Sequence, residues 1–337
     1  MDKEIEVKKE CSSKSRNLNI ESLRVYMMLL IVIMHIGGGS TDWEYIHNTV
    51  GLQSGWIVAY RSITFLGVPA FAFISGYYGM NLNLRKFFRM ETMTILYGVL
   101  ITGLIMTVRR PYFLEVRDLL MPVTFHRLWY YSSYVLLLFI APIVNAGIRN
   151  LDKHTFRTIV IACTIFVYGI RLIMRMDNCT FINLFTIYLI GQYLRLYPIR
   201  WIEVNATRNF IVLLIANFVV SFGLGYFALS GIYQPLEGNS NPITFCCAVS
   251  LFFAVLGKRN VSTFSKTIAR LAPNMLAVYI IHESIRVTGI IDISILNGNL
   301  LYVIPVGIIV LLSCSLINIL CSVVIYPIVD KTYYKIT

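Results

Sequence analysis

Two residues of unlike chemistry, Arg24 and His35, stand eleven positions apart in an otherwise apolar run near the start of the chain. In an α-helix, eleven steps of 100° overshoot three full turns by only about 20°, so both side chains share one face, roughly 16 Å apart along the axis. Ionisable groups inside a bilayer are costly, which makes each one a functional hypothesis by default. A guanidinium at one end of such a face can hold phosphate. An imidazole at the other can act as a general base, or as a nucleophile that is itself acylated. The donor that fits is long and anionic at one end. Coenzyme A has this shape, with a phosphorylated nucleotide head and a pantetheine arm ending in a thioester. Taken singly the two residues say less: Arg24 also suits a basic anchor at the membrane surface, and His35 a hydrogen bond between helices.

A second polar cluster, His282, Glu283 and Arg286, interrupts a late apolar run. Arg286 follows Glu283 by three positions, so the two can pair along one helix. That pair reads either as self-neutralising, letting the helix pack, or as part of a site in which His282 or Glu283 orients an acceptor or relays its proton. The basic stretch Arg85-Lys86-Phe87-Phe88-Arg89 is expected as a loop on the same side as Arg24, where it would form a collar for donor phosphates or attract lipid headgroups. Arg61 and Arg171 fall near the outer ends of their spans. With Arg286 they could line an outward cavity for a sugar or a lipid-linked phosphate, although snorkelling to the interface is the cheaper reading. Trp43, Trp56 and Trp129 fall near predicted interfaces, where aromatic belts form without catalytic purpose. The seven cysteines show no CxxC or Cys/His ligand spacing, so neither a metal site nor a disulfide framework is read from them.

The elements that must carry these residues follow from composition. The chain has 337 residues, 57% hydrophobic and 14% charged, whereas a soluble protein has about a quarter of its residues charged. Much of the surface must therefore face lipid. A span takes about 20 apolar residues, and apolar segments fall approximately at 20–39, 57–79, 91–108, 128–148, 157–174, 180–197, 209–229, 241–257, 273–291 and 301–328. The expected fold is all-α, a polytopic transmembrane bundle of about ten helices, since backbone groups in lipid must be satisfied within their own segment. Residues 1–16 read as a disordered polar tail, 17–330 as one transmembrane domain and 331–337 as a second short tail. The first apolar run contains His35 and lacks a small-x-small cleavage site, so it reads as a retained helix rather than a secretory signal. With the N-terminus placed inside, 21 of the 29 Lys and Arg fall on the inner side and five on the outer. Both termini are then cytoplasmic, and the net charge of +12 reflects topology rather than a nucleic-acid partner.

The residues also carry a resemblance. RNLNIESLRVYMMLLIVIMH, with its Arg, ten intervening residues and His, resembles the opening of the acyltransferase 3 family. FLGVPAFAFISGYYGM resembles the family's second helix, ending in a Ser-Gly-aromatic turn at Ser75, Gly76 and Tyr77. LRKFFR resembles its Arg-rich cytoplasmic loop. HRLWYYSSYVLLLFIAPIV resembles the His-Leu-Trp-aromatic start of its fourth helix, and NMLAVYIIHES the late helix ending in Tyr-Leu-Ile-His. The likeness runs from about residue 16 to 328. Two departures stand out: Arg127 separates His126 from Leu128, and Lys86 occupies the place of the first of two paired arginines if Arg89 is the second, unless Arg85 fills it. Lys supplies charge there without the planar fork.

The resemblance implies a membrane O-acyltransferase, most commonly one that acetylates a hydroxyl of a bacterial cell-surface or exported glycan from cytoplasmic acetyl-CoA. It implies a multi-pass protein of the cytoplasmic membrane, with His35 as base or acyl relay supported by His282; Glu283 joins them as a candidate from its own chemistry, not from the resemblance. Arg24, Arg85, Lys86 and Arg89 would then hold the donor. The expected partners are acyl-CoA, a glycan or lipid-linked saccharide, and membrane lipids, with no nucleic acid. Many members carry an esterase-like soluble domain after the last helix; here such a function is expected on a separate protein. The rival reading is a transporter or flippase for a lipid-linked glycan, but no inverted repeat or paired broken helices stand out.

Overall fold

The computed structural model describes residues 16–108, 128–170, 173, 180–232, 241–288 and 293–336. Among these the chain is all-helical, with no strand. The elements are α1 (Leu18–Gly39), α2 (Trp43–Asn48), α3 (Leu52–Thr64), α4 (Gly67–Tyr78), α5 (Leu84–Val108), α6 (Trp129–Asn150) and α7 (Lys153–Ile165, followed by a π-helical turn at Phe166–Ile170). They continue as α8 (Thr180–Leu196), α9 (Arg200–Val204), α10 (Ala206–Tyr226), α11 (Pro242–Leu256), α12 (Thr263–Ala269), α13 (Met275–Thr288) and α14 (Leu300–Ile336).

Six stretches among the described residues are long and apolar enough to cross a bilayer: Leu18–Gly39, Leu52–Tyr78, Leu84–Leu104, Trp129–Asn150, Ala206–Tyr226 and Leu300–Val323. The remaining segments of the ten-span expectation form shorter helices or are described only in part. The apolar run at 57–79 divides into α3 and α4, because the chain turns at Phe65 and Leu66 before Pro69 re-enters a helix. Pro142, by contrast, sits inside α6 without ending it.

Local chemistry fixes the starts. The Asn17 side chain accepts from the amides of Asn19 and Ile20 and so caps α1, satisfying donors that a helix start leaves open. Asp42, Asp152, Asn241 and Ser262 do the same for α2, α7, α11 and α12.

The helix α1 is the hub, packing against α3, α4, α11, α12, α13 and α14. Its first turns are tied by Asn19 Nδ2, which donates to the Lys258 carbonyl at 3.1 Å, and by Ser22 Oγ, which donates to the Ser265 carbonyl at 2.6 Å. On its other side α4 carries the contact to α8. A Cβ added at Gly76 would lie 2.6 Å from the Tyr188 carbonyl oxygen, and one at Gly191 would lie 2.6 Å from the Tyr77 amide. Small residues permit this backbone approach, which lipid-embedded helices need because burial supplies little drive between them. The Ser75-Gly76-Tyr77 turn expected from sequence is therefore helical. The chain turns at Gly79 instead, which takes a φ of +77° that favours glycine.

Candidate active site

The packing of α13 on α1 brings together residues 247 positions apart. His35 Nδ1 lies 2.9 Å from His282 Nε2 and 3.2 Å from Glu283 Oε2. Glu283 is 2% exposed, and both of its oxygens are held by Arg286, at 2.7 Å from Nε and 2.6 Å from the terminal nitrogen. His282 is 6% exposed, and its Nδ1 lies 2.5 Å from the Val278 carbonyl. The two imidazoles are tilted at 34° with centroids 5.1 Å apart. Sequence spacing predicts the Glu283–Arg286 pair and the resemblance implies a role for His282, but neither says that both His282 and Glu283 meet His35.

The hydrogen bonds assign the protons. A carbonyl oxygen only accepts, so His282 Nδ1 carries the hydrogen and its Nε2, in the neutral ring, is bare. His35 Nδ1–H then donates toward His282 Nε2 and Glu283 Oε2. His35 Nε2 is left with its lone pair. An imidazole held in this tautomer beside a carboxylate can take a proton at the free nitrogen, and the carboxylate stabilises the imidazolium that forms. Arg286 fixes the carboxylate in place. The pair neutralises a buried carboxylate and holds it 3.2 Å from His35 Nδ1.

One cavity, of about 380 Å³, joins this cluster to Arg24. Its α1 wall is Glu21, Arg24, Met28, Ile31 and His35, at the helical spacing that puts them on one face, with Arg16 just before the helix. Other walls come from α4 (Val68, Phe71, Ser75), α6 (Trp129, Tyr130, Tyr134) and α13 with the turn before it. Among the described residues Arg24 is paired with Glu21, its Nε 3.9 Å from the carboxylate, and both line the cavity beside Arg16.

The basic stretch stands differently. Arg85, Lys86 and Arg89 lie in the first turns of α5 rather than in a loop, with the Asn83 side chain accepting from the Lys86 amide. None of the three lines the cavity, although their neighbour Met90 does. Trp129, expected as an interfacial belt residue, is a cavity wall. Arg61 lies with its guanidinium carbon 4.0 Å from the centre of the Trp43 ring, a cation–π contact that holds it against α2. Arg171, His126 and Arg127 lie outside the described residues. Tyr279 is the tyrosine of the stretch that resembles Tyr-Leu-Ile-His, to which no role was attached. It sits three positions before His282, on the same helical face, and its ring packs 6.0 Å from that imidazole and 5.8 Å from Tyr130.

Ligand atoms of His35, His282 and Glu283 all lie within 4.8 Å of one another, close enough for a metal ion to use. A metal would have to break the His35–His282 hydrogen bond and compete with Arg286 for both carboxylate oxygens. The hydrogen-bonded arrangement satisfies these groups with one another.

Residues 17–324 match the family model of an acyltransferase domain, Acyl_transf_3. No curated protein and no solved structure matches the chain.

Proposed function

Because this chain belongs to the acyltransferase 3 family, we propose that it transfers an acyl group, acetyl in the family's commonest activity, from cytoplasmic acyl-CoA to a hydroxyl of a cell-surface or exported glycan. The observation that carries this reading is the single cavity lined by Arg24 at one end and His35 at the other. The donor's phosphates sit by Arg24, at the end of the bundle that the charge bias assigns to the cytoplasm, with Arg85, Lys86 and Arg89 adding positive potential nearby. The pantetheine arm lies along the aromatic walls and presents the thioester at His35.

The chemistry follows from the tautomer. His35 Nε2 takes the proton of the acceptor hydroxyl as its oxygen attacks the thioester carbonyl. The tetrahedral intermediate collapses with loss of the C–S bond, and the thiolate leaves with the proton that His35 received. Glu283, held by Arg286, stabilises the imidazolium between these steps, and His282 holds the ring in orientation. The same free Nε2 could instead attack the thioester and carry the acyl group before the acceptor arrives. The family match lends no support to a transporter.

The test uses membranes containing the protein, labelled acetyl-CoA and exported glycan, with acyl content read by mass spectrometry. Wild type is expected to give acceptor-dependent incorporation, with His35→Ala abolishing it and Arg24→Ala requiring far more donor. Full incorporation by a normally inserted His35→Ala protein would falsify the mechanism. Label retained on the protein after acceptor is withheld identifies the acyl-histidine route.

A further inference from the structure

A second cavity, of about 670 Å³, shares no residue with the donor cavity. Its walls are apolar and come from four helices, with Val160 of α7, Ile190 of α8, Val212 of α10 and Val249 of α11 among them. Trp201 of α9, Arg208 and Asn209 in the first turn of α10, and the small polar residues Thr164 and Ser250 also line it. Arg208 is exposed and makes no ion pair among the described residues. The one-turn helix α9 exposes 61% of Trp201 and 72% of Val204, as a short helix lying at the membrane surface does. This is also the end of the bundle at which α1 begins, since Arg195, at the close of α8, donates at 2.8 Å to the carbonyl of Tyr78, at the close of α4.

We infer that this cleft binds one anionic phospholipid of that leaflet, its phosphate on Arg208 and one acyl chain between α7 and α10. An empty apolar cleft forfeits the dispersion contacts of its lining, and a hydrocarbon chain restores them at no cost in polar desolvation. Arg208 is the charged side chain in the lining, so the cleft's charge is complementary to phosphate. A zwitterionic headgroup brings a second cation beside Arg208 and loses that advantage. The lipid braces the side of the bundle where α10 is otherwise only 17% buried. The inference is independent of acyl transfer, because none of these residues reaches the His35 cluster.

The experiment is native mass spectrometry of the full chain in detergent, with dioleoyl-phosphatidylglycerol or dioleoyl-phosphatidylcholine added in equal amounts. Wild type is expected to retain one phosphatidylglycerol, with at least a tenfold preference over phosphatidylcholine. Arg208→Gln should remove the preference. Val212→Trp and Cys246→Trp, which fill the cleft from partly open positions, should remove the bound lipid, while Ile309→Trp on the lipid-facing side of α14 should leave it in place. Equal retention of both lipids by wild type, or unchanged retention in the cleft-filling variants, identifies ordinary annular lipid and overturns the site. Should a tryptophan variant fail to fold, the headgroup preference of wild type against Arg208→Gln decides the matter alone.

Discussion

The helices α1 and α10 are near twins by composition, 22 and 21 residues of similar apolar character, yet 67% of the first is buried within the protein against 17% of the second. The difference lies in what their few polar and small residues meet. In α10, Asn217, Ser221 and Gly225 recur every fourth position on the side packed against α3 and α11, where Asn217 Nδ2 donates to the Ser62 carbonyl and to Thr244 Oγ1, each at 3.4 Å. The opposite side, with Ile211, Ile215 and Val219, is exposed. In α1, Asn19 and Ser22 bond to neighbouring chain segments, Arg24 lines the cavity, and His35 meets α13. A span packed on every side can hold a polar face away from lipid; one with a single seam cannot. Ionisable groups are therefore affordable in α1, and the candidate chemistry sits there.

The sharpest way to break this comparison is His35→Ala. Removing a general base is expected to cost on the order of 10²–10⁴ in transfer rate, with thermal stability unchanged because the ring is at the cavity wall rather than in close packing. A stable but fully active variant would reduce α1 to another scaffold helix. Glu283→Gln comes next, with a loss of about 10² in rate through the unsupported imidazolium. Arg286→Gln alone should lower stability by about 3–5 kcal/mol, since it strands a buried carboxylate. Adding Glu283→Gln to it should recover stability but not rate, and recovery of both would make the pair purely structural. Arg24→Gln is expected to raise the donor KM about tenfold or more, from the loss of a charge-assisted bond worth roughly 1.5–3 kcal/mol, with little change in kcat. The smallest effect belongs to α10. Ile215→Ala, at a position 57% exposed to lipid, should change stability by no more than about 0.5 kcal/mol. The matching change Val32→Ala, fully buried in α1, should cost several times as much through the cavity it leaves.

Much of this was legible in the sequence because it is local. The spacing of Arg24 and His35 places them on one helical face whatever surrounds them, and Glu283–Arg286 pairs within one helix. The basic stretch was legible as charge but not as conformation: it begins α5, and it stands beside the cavity rather than in its wall. Tyr279 was visible as the tyrosine of the Tyr-Leu-Ile-His-like stretch, but an aromatic residue in an apolar run does not say by itself that it walls a cavity. Likewise Trp129 looked like a belt residue, since hydropathy reports depth in a membrane and not which protein surface is opposite.

The sequence by itself determined that this is a helical membrane protein of the acyltransferase 3 family and that a cation and an imidazole share the face of its first span. Composition and periodicity suffice for the helices and the shared face, because both are properties of a single segment; the family is carried by the likeness of motifs along the chain. Only the tertiary structure decided that the run at 57–79 breaks in two, that α1 rather than α10 is enclosed, and that His35 meets His282 and Glu283 from 247 positions away. Those facts depend on which helices pack together. In lipid that choice rests on shape and hydrogen bonding between distant segments, which a count of apolar residues along the chain does not contain.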